Sequence, residues 1–151
     1  MTEIDKLIID SSILLSYKDG DENAKKLMHD AIDGRVSISV SAYSLFVLSR
    51  SDSFDRKAEI GFLSLLKFIN TINLDTQIAM KTGYIFRSAS RSSNMYGQVD
   101  LFNMSTSDQN LTEDAVSCAV SELINCPVIS VRNNSLENID SEWLILGDLS
   151  L

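Results

Sequence analysis

The sequence predicts an α/β fold of three layers, with helices on both faces of a mostly parallel sheet of about five strands. Two observations predict it. Short apolar runs rich in β-branched residues, "KLIID", "RVSISV" and "CPVISV", read as strands of the kind parallel sheets bury. Between them lie stretches whose apolar residues recur at helical spacing, and this alternation is the pattern of βαβ units. A length of 151 residues with 44% hydrophobic and 23% charged residues and one proline suits a single folded domain, expected to span 1–151.

The first strand is "KLIID", with Asp10 at its carboxyl end. "SSILLSY" begins a helix with a serine as N-cap and breaks at "KDGDEN". From Asp21, the stripe Ala24, Leu27, Met28, Ala31, Ile32 is an amphipathic helix that Gly34 stops. "RVSISV" gives a second strand ending near Val40, followed by a helix over about 42–50. "SDSFDRK" is a polar break, and residues 54–68 favour one long helix. "INTIN" reads as a short strand, and a further helix starts at Asp75 or Thr76, weakened by Gly83. Residues 92–110 show no sustained period and are expected to form a long loop. Asn110 and Glu113 stand at capping-box spacing before a helix striped by Ala115, Val116, Ala119, Val120 and Leu123. "CPVISV" is the next strand, "RNNSLENIDS" a loop or short helix, and "WLIL" the last strand.

Composition narrows the function classes. No apolar run is long enough to span a bilayer and the N-terminus lacks a secretory layout, so a cytoplasmic protein with no membrane partner is expected. Cys118 and Cys126 lack metal-ligand spacing and read as reduced, packed thiols. The formal charge of −8 disfavours unspecific nucleic-acid binding, so any RNA must be held locally. His29 has no triad partners, and no phosphate-cradling glycine loop occurs. "DGDENAKKLMHD" carries acids at calcium-loop positions but has Ala24 where the turn needs glycine.

In open α/β sheets ligands bind at the carboxyl ends of strands, which singles out Asp10. Asp114 is expected to open a helix, where the dipole favours a carboxylate whatever its role. If that helix packs against the first strand, the two acids form a hard oxygen pair suited to Mg²⁺ or Mn²⁺ and to phosphodiester chemistry. Each acid has a plain structural alternative, Asp10 as an N-cap and Asp114 as a first-turn charge.

The order "LIIDSSILL", "VSISVSAYSLF", "TEDAVSCAVSELINCPVISVRN" resembles the PIN-domain family, the VapC-like nucleases of toxin–antitoxin systems. The resemblance matches Asp10, Ser11 and Ser12 to the family's opening motif, and Asp114, Ala115, Val116 and "PVIS" to a later one. It implies a PIN-like sheet between helices, Mg²⁺- or Mn²⁺-dependent RNA cleavage by an acidic cluster, a homodimer, and an antitoxin-like protein partner. Two family acids are missing: Leu45 stands where a Glu is expected, and Arg132, Asn133 and Asn134 where a further acid follows the strand. Asp10 and Asp114 are thus the expected catalytic and metal residues, with Ser12, Ser130, Asn133 and Glu113 in support; Glu113, Glu137 or Asp140 would fill the gap. A nearby Arg132 would oppose a cation. Two functions remain open: a divergent metal-dependent endoribonuclease of toxin–antitoxin type, or a catalytically degenerate PIN-like domain that binds protein or RNA. An unrelated response-regulator-like or nucleotide-binding domain lacks the phosphate loop it would need.

Overall fold

The computed structural model describes residues 5–90, 106–136 and 141–148. In chain order the elements are β1 (Lys6–Ile9), α1 (Ser11–Lys18), α2 (Glu22–Ile32), β2 (Ser37–Ser41), α3 (Ala42–Ser49), α4 (Arg56–Leu65), β3 (Asn70–Ile72), α5 (Thr76–Ser90), α6 (Thr106–Ile124), β4 (Val128–Ser130) and β5 (Trp143–Ile145). Short 3₁₀ turns follow α4 and β5.

The strands form one five-stranded sheet in the order β3-β2-β1-β4-β5, and every neighbouring pair is parallel. The expected fold class is the observed one. β1 is central and buried on both faces, which explains its unbroken apolar run. Leu7 and Ile9 point into one core with Ile13, Leu14, Leu27, Met28, Val40 and Phe62, under α1, α2 and α4. Ile8 and Val128 point into the other, with Ile78, Ile85, Ala115, Ala119 and Val120 from α5 and α6. The alternation of neighbouring residues between two helical layers is the period-two geometry of a strand.

Most boundaries follow their chemical signals. Asp21 caps α2 by accepting from the Ala24 N–H at 2.9 Å, Asp55 caps α4 from Ala58 at 2.8 Å, and Asp75 accepts from Ile78 at 2.8 Å to start α5. Gly34 stops α2 with φ +76°, a left-handed conformation that favours glycine. The acids of the calcium-loop look-alike have local partners, Asp21 in the α2 cap and Asp30 in an ion pair with Arg35 at 3.0 Å.

Three expectations need correction. The long helix over 54–68 is shorter, because Asp55 caps it at Arg56 and its last turn tightens to 3₁₀ from Leu66. The expected loop over 92–110 is helical from Thr106, so α6 begins well before the supposed capping box; 91–105 lie outside the described residues. In consequence Asn110 and Glu113 lie inside α6, and Asp114 does not open a helix. Residues 131–136 form no helix, and Glu137 and Asp140 lie outside the described residues.

Cys118 is buried, and burial pushes its thiol up to about 11, while Cys126 is half-buried; both are free thiols. Among the described residues no helix is long and apolar enough to cross a membrane.

Candidate functional site: an acidic cluster around Arg132

From β1 the sheet grows through β2 to β3 on one side and through β4 to β5 on the other. The direction of winding therefore reverses between β1 and β4, and the carboxyl ends of these two strands flank the switch point. Asp10 follows β1 directly and Ser130 ends β4, and the register Ile9↔Ile129 brings them side by side. α6 packs across β1 from the second core and carries Glu113 and Asp114 to the same end.

Asp10 is fully buried and holds two roles. Its Oδ1 accepts from the N–H of Ser12 at 3.1 Å and of Ile13 at 3.3 Å, so Asp10 rather than a serine is the N-cap of α1. The same oxygen accepts the Ser12 hydroxyl at 2.5 Å, and Oδ2 accepts the Ser130 hydroxyl at 2.6 Å. The cap and the site are one carboxylate. Ser12 and Ser130, expected as supporting residues, both bond Asp10, and their hydroxyls meet at 3.1 Å. Asn133, expected as a further oxygen donor, is exposed.

Glu113 is the acid whose role the sequence obscured. Instead of reaching back to cap its own helix it crosses to α1, where Oε2 accepts the Ser11 N–H at 3.0 Å and Oε1 the Ser11 hydroxyl at 2.8 Å. It also accepts the Ser44 hydroxyl, which in turn accepts from Ser41 at 3.3 Å. Ser44, at 0% exposure, is therefore the α3 position that faces the cluster. Leu45, the residue matched to a missing Glu, instead packs against the first core. Adjacent positions on a helix point about 100° apart, so this offset of one residue decides which side chain lines the site.

Asp114, also fully buried, is held by Arg132. The guanidinium forks onto it, Nη1 to Oδ2 at 2.7 Å and Nη2 to Oδ1 at 2.5 Å, and the Ser135 N–H adds a third bond at 2.8 Å. Nη2 also stands 3.5 Å from Glu113 Oε1 and 4.0 Å from Asp10 Oδ2. Arg132 is fixed from behind, because its carbonyl accepts the Trp143 indole N–H at 3.0 Å and its own N–H donates to Ser130 Oγ at 3.3 Å.

Burial raises Asp10 above the usual carboxylate range, against the Ser12 and Ser130 hydroxyls and the charge of Arg132, with Asp114 adding to the rise. Burial also raises Glu113, and the negative charge of Asp10 adds to it, opposed by Ser44 and Ser11. For Arg132 burial alone would lower the value; the bonds and charge of Asp114, then the charges of Asp10 and Glu113, outweigh it and raise it. The guanidinium stays charged.

The expected metal can be tested against this donor set. Mg²⁺ or Mn²⁺ needs carboxylate oxygens turned toward one open point. Here both oxygens of Asp114 are taken by the fork, and Nη2 is the cation the other acids face. With Arg132 in this position the residues do not fit a divalent ion, and among the described residues no group of three or more acidic, histidine or cysteine side chains is arranged to hold one. What the arrangement does chemically is compensate buried negative charge. A cleft of about 540 Å³ lies beside it, lined by Ser11, Ser12, Arg50, Asn110 and Arg132.

No protein-family model matches the chain, and no curated protein does. Solved structures do. A toxin–antitoxin complex from Klebsiella pneumoniae aligns with TM-score 0.65 at 13% identity over 95% of this chain and 99% of that one. FitAcB from Neisseria gonorrhoeae aligns with TM-score 0.64 at 13% identity, covering 95% and 99%. The fold is PIN-like. DNA-bound VapBC from Salmonella typhimurium agrees, with TM-score 0.63 at 14% identity over 92% and 96%. At such identities the likeness carries the PIN-like architecture, and what this PIN-like chain does must be argued from its own residues.

Proposed function

We propose that this chain is a PIN-like protein of toxin–antitoxin type whose acidic cluster is degenerate, and that it acts by binding a protein partner rather than by metal-dependent cleavage of RNA. The observation that carries this reading is the fork of Arg132 on Asp114, with the same nitrogen turned to Glu113 and Asp10. A fixed cation at that point opposes the divalent ion on which cleavage by such a cluster would depend.

A protein partner is supported by two observations. The structural neighbours are toxin–antitoxin complexes. Phe46, Ile60, Leu63 and Phe68 stand more than half exposed on and just after α3 and α4, beside an apolar groove of about 420 Å³. Side chains of this size left in water mark a surface that another protein covers.

The test has two arms. Purified protein incubated with single-stranded RNA and Mn²⁺ or Mg²⁺ should leave the RNA intact. Co-expression with an antitoxin-like protein taken from the gene neighbouring this one should yield a complex that Phe46→Asp with Leu63→Asp disrupts. RNA cleavage that Asp10→Asn and Asp114→Asn each abolish would overturn the reading in favour of the endoribonuclease. That second reading draws on the convergence of Asp10, Glu113 and Asp114 at the switch point beside an open cleft.

A further inference from the structure

Nη2 of Arg132 lies within 4.0 Å of an oxygen from each of Asp10, Glu113 and Asp114. These acids are 0%, 1% and 0% exposed. Buried carboxylates repel one another strongly, and a cation among them offsets that repulsion. A single nitrogen thus supplies the positive charge that oxygens from three acids share.

Each acid also has a hold that does not come from the Arg132 guanidinium. Asp10 is held by the α1 amides and by Ser12 and Ser130, Glu113 by both donors of Ser11 and by Ser44, and Asp114 by the Ser135 N–H. With the guanidinium gone these bonds still hold one side of each carboxylate, and the oxygens that faced Nη2 at 2.5 to 4.0 Å are left to close on a cation beside the hydroxyls of Ser12 and Ser130.

We infer that Arg132 is an internal stand-in for a divalent cation, and that replacing it with a neutral residue turns Asp10, Glu113 and Asp114 into a Mn²⁺ site. This inference rests on the degenerate-cluster reading and names what closes the cluster. Hard carboxylate oxygens select Mn²⁺ or Mg²⁺ over softer ions, and Mn²⁺ offers a direct spectroscopic count of bound ion.

The experiment titrates Mn²⁺ into the unaltered protein, Arg132→Ala and Arg132→Gln, reading free ion by electron paramagnetic resonance and unfolding temperature by circular dichroism. Both variants should melt lower than the unaltered protein without metal. Both should bind Mn²⁺ about tenfold or more tightly than it does and regain stability on binding. Adding Asp114→Asn to either variant should remove the gain. Arg132→Gln retains an amide donor for Asp114, so it reports even if Arg132→Ala fails to fold without the ion. Equal Mn²⁺ affinity in the unaltered protein and the variants, or none in folded Arg132→Gln, would overturn the inference. RNA cleavage by the unaltered protein would instead overturn the degenerate reading, while tighter Mn²⁺ binding by the variants would still uphold the stand-in.

Discussion

Arg132 and Asp114 meet as a two-pronged pair at 2.7 and 2.5 Å, the aspartate without solvent exposure and the arginine side chain 25% exposed. They come from different elements, α6 and the turn after β4, so the pair ties the second helical layer to the edge of the switch point. A fork of this kind fixes direction as well as charge, which a lysine would not do.

Asp114→Asn should therefore destabilise the protein by about 2–4 kcal/mol, because it leaves a partly buried guanidinium facing an amide. The pair is shielded from solvent, so that loss should change little between low and high salt. Urea unfolding of both proteins at two salt concentrations measures it. A loss that vanishes in high salt would place the pair among ordinary surface contacts.

Asp10 is both helix cap and cluster member, and two substitutions separate the roles. Asp10→Ala removes the acceptor for Ser12, Ile13 and Ser130 together and should cost about 2 kcal/mol or more. Asp10→Asn keeps one oxygen for the α1 amides, and the Ser130 hydroxyl can turn to accept from the new amide. It should be clearly the milder change. Denaturant midpoints decide, and equal losses would mean that the charge, not the cap, is what the fold uses at this position.

The same contrast shows what could be read from the chain alone. "KLIID" announced a doubly buried strand because central parallel strands need apolar residues on both faces, and the acid after it marked the ligand end of the sheet. Glu113 was misread because α6 starts at Thr106, within a polar stretch that has no apolar stripe to betray a helix. Once the helix start is misplaced, an acid at capping-box spacing looks local, while its real partner is Ser11, 102 residues away in sequence. The register of α3 was one residue off for a related reason: "AYSLFVLS" is apolar nearly all round, so its pattern does not say whether Ser44 or Leu45 faces the acids. An opposing charge from Arg132 was legible; its fork onto Asp114 was not, since it depends on how the turn through Ser135 folds back.

Asp10 and Glu113 both titrate above the usual carboxylate range in the folded protein, chiefly through burial. Between the unfolded and the raised folded values the native state binds more protons than the unfolded chain. Their contribution to stability is therefore fully present at low pH and is lost as pH rises through the folded values. Urea unfolding across about pH 4 to 8 should show a decline that is shallower in Glu113→Gln, which has one such group fewer. Identical slopes in the two proteins would remove Glu113 as a source.

Two acids of this cluster accept from hydroxyls: Glu113 from Ser11 and Ser44, with Ser41 behind Ser44, and Asp10 from Ser12 and Ser130. A hydroxyl rotor donates to a carboxylate, yet turns to accept from a carboxylic acid or an amide without moving any heavy atom. Around Asp10 and Glu113 the fixed charge of Arg132 is thus joined by a set of reversible polarities. At the carboxyl ends of β1 and β4, Asp10 and Glu113 therefore keep hydrogen-bond partners in either protonation state.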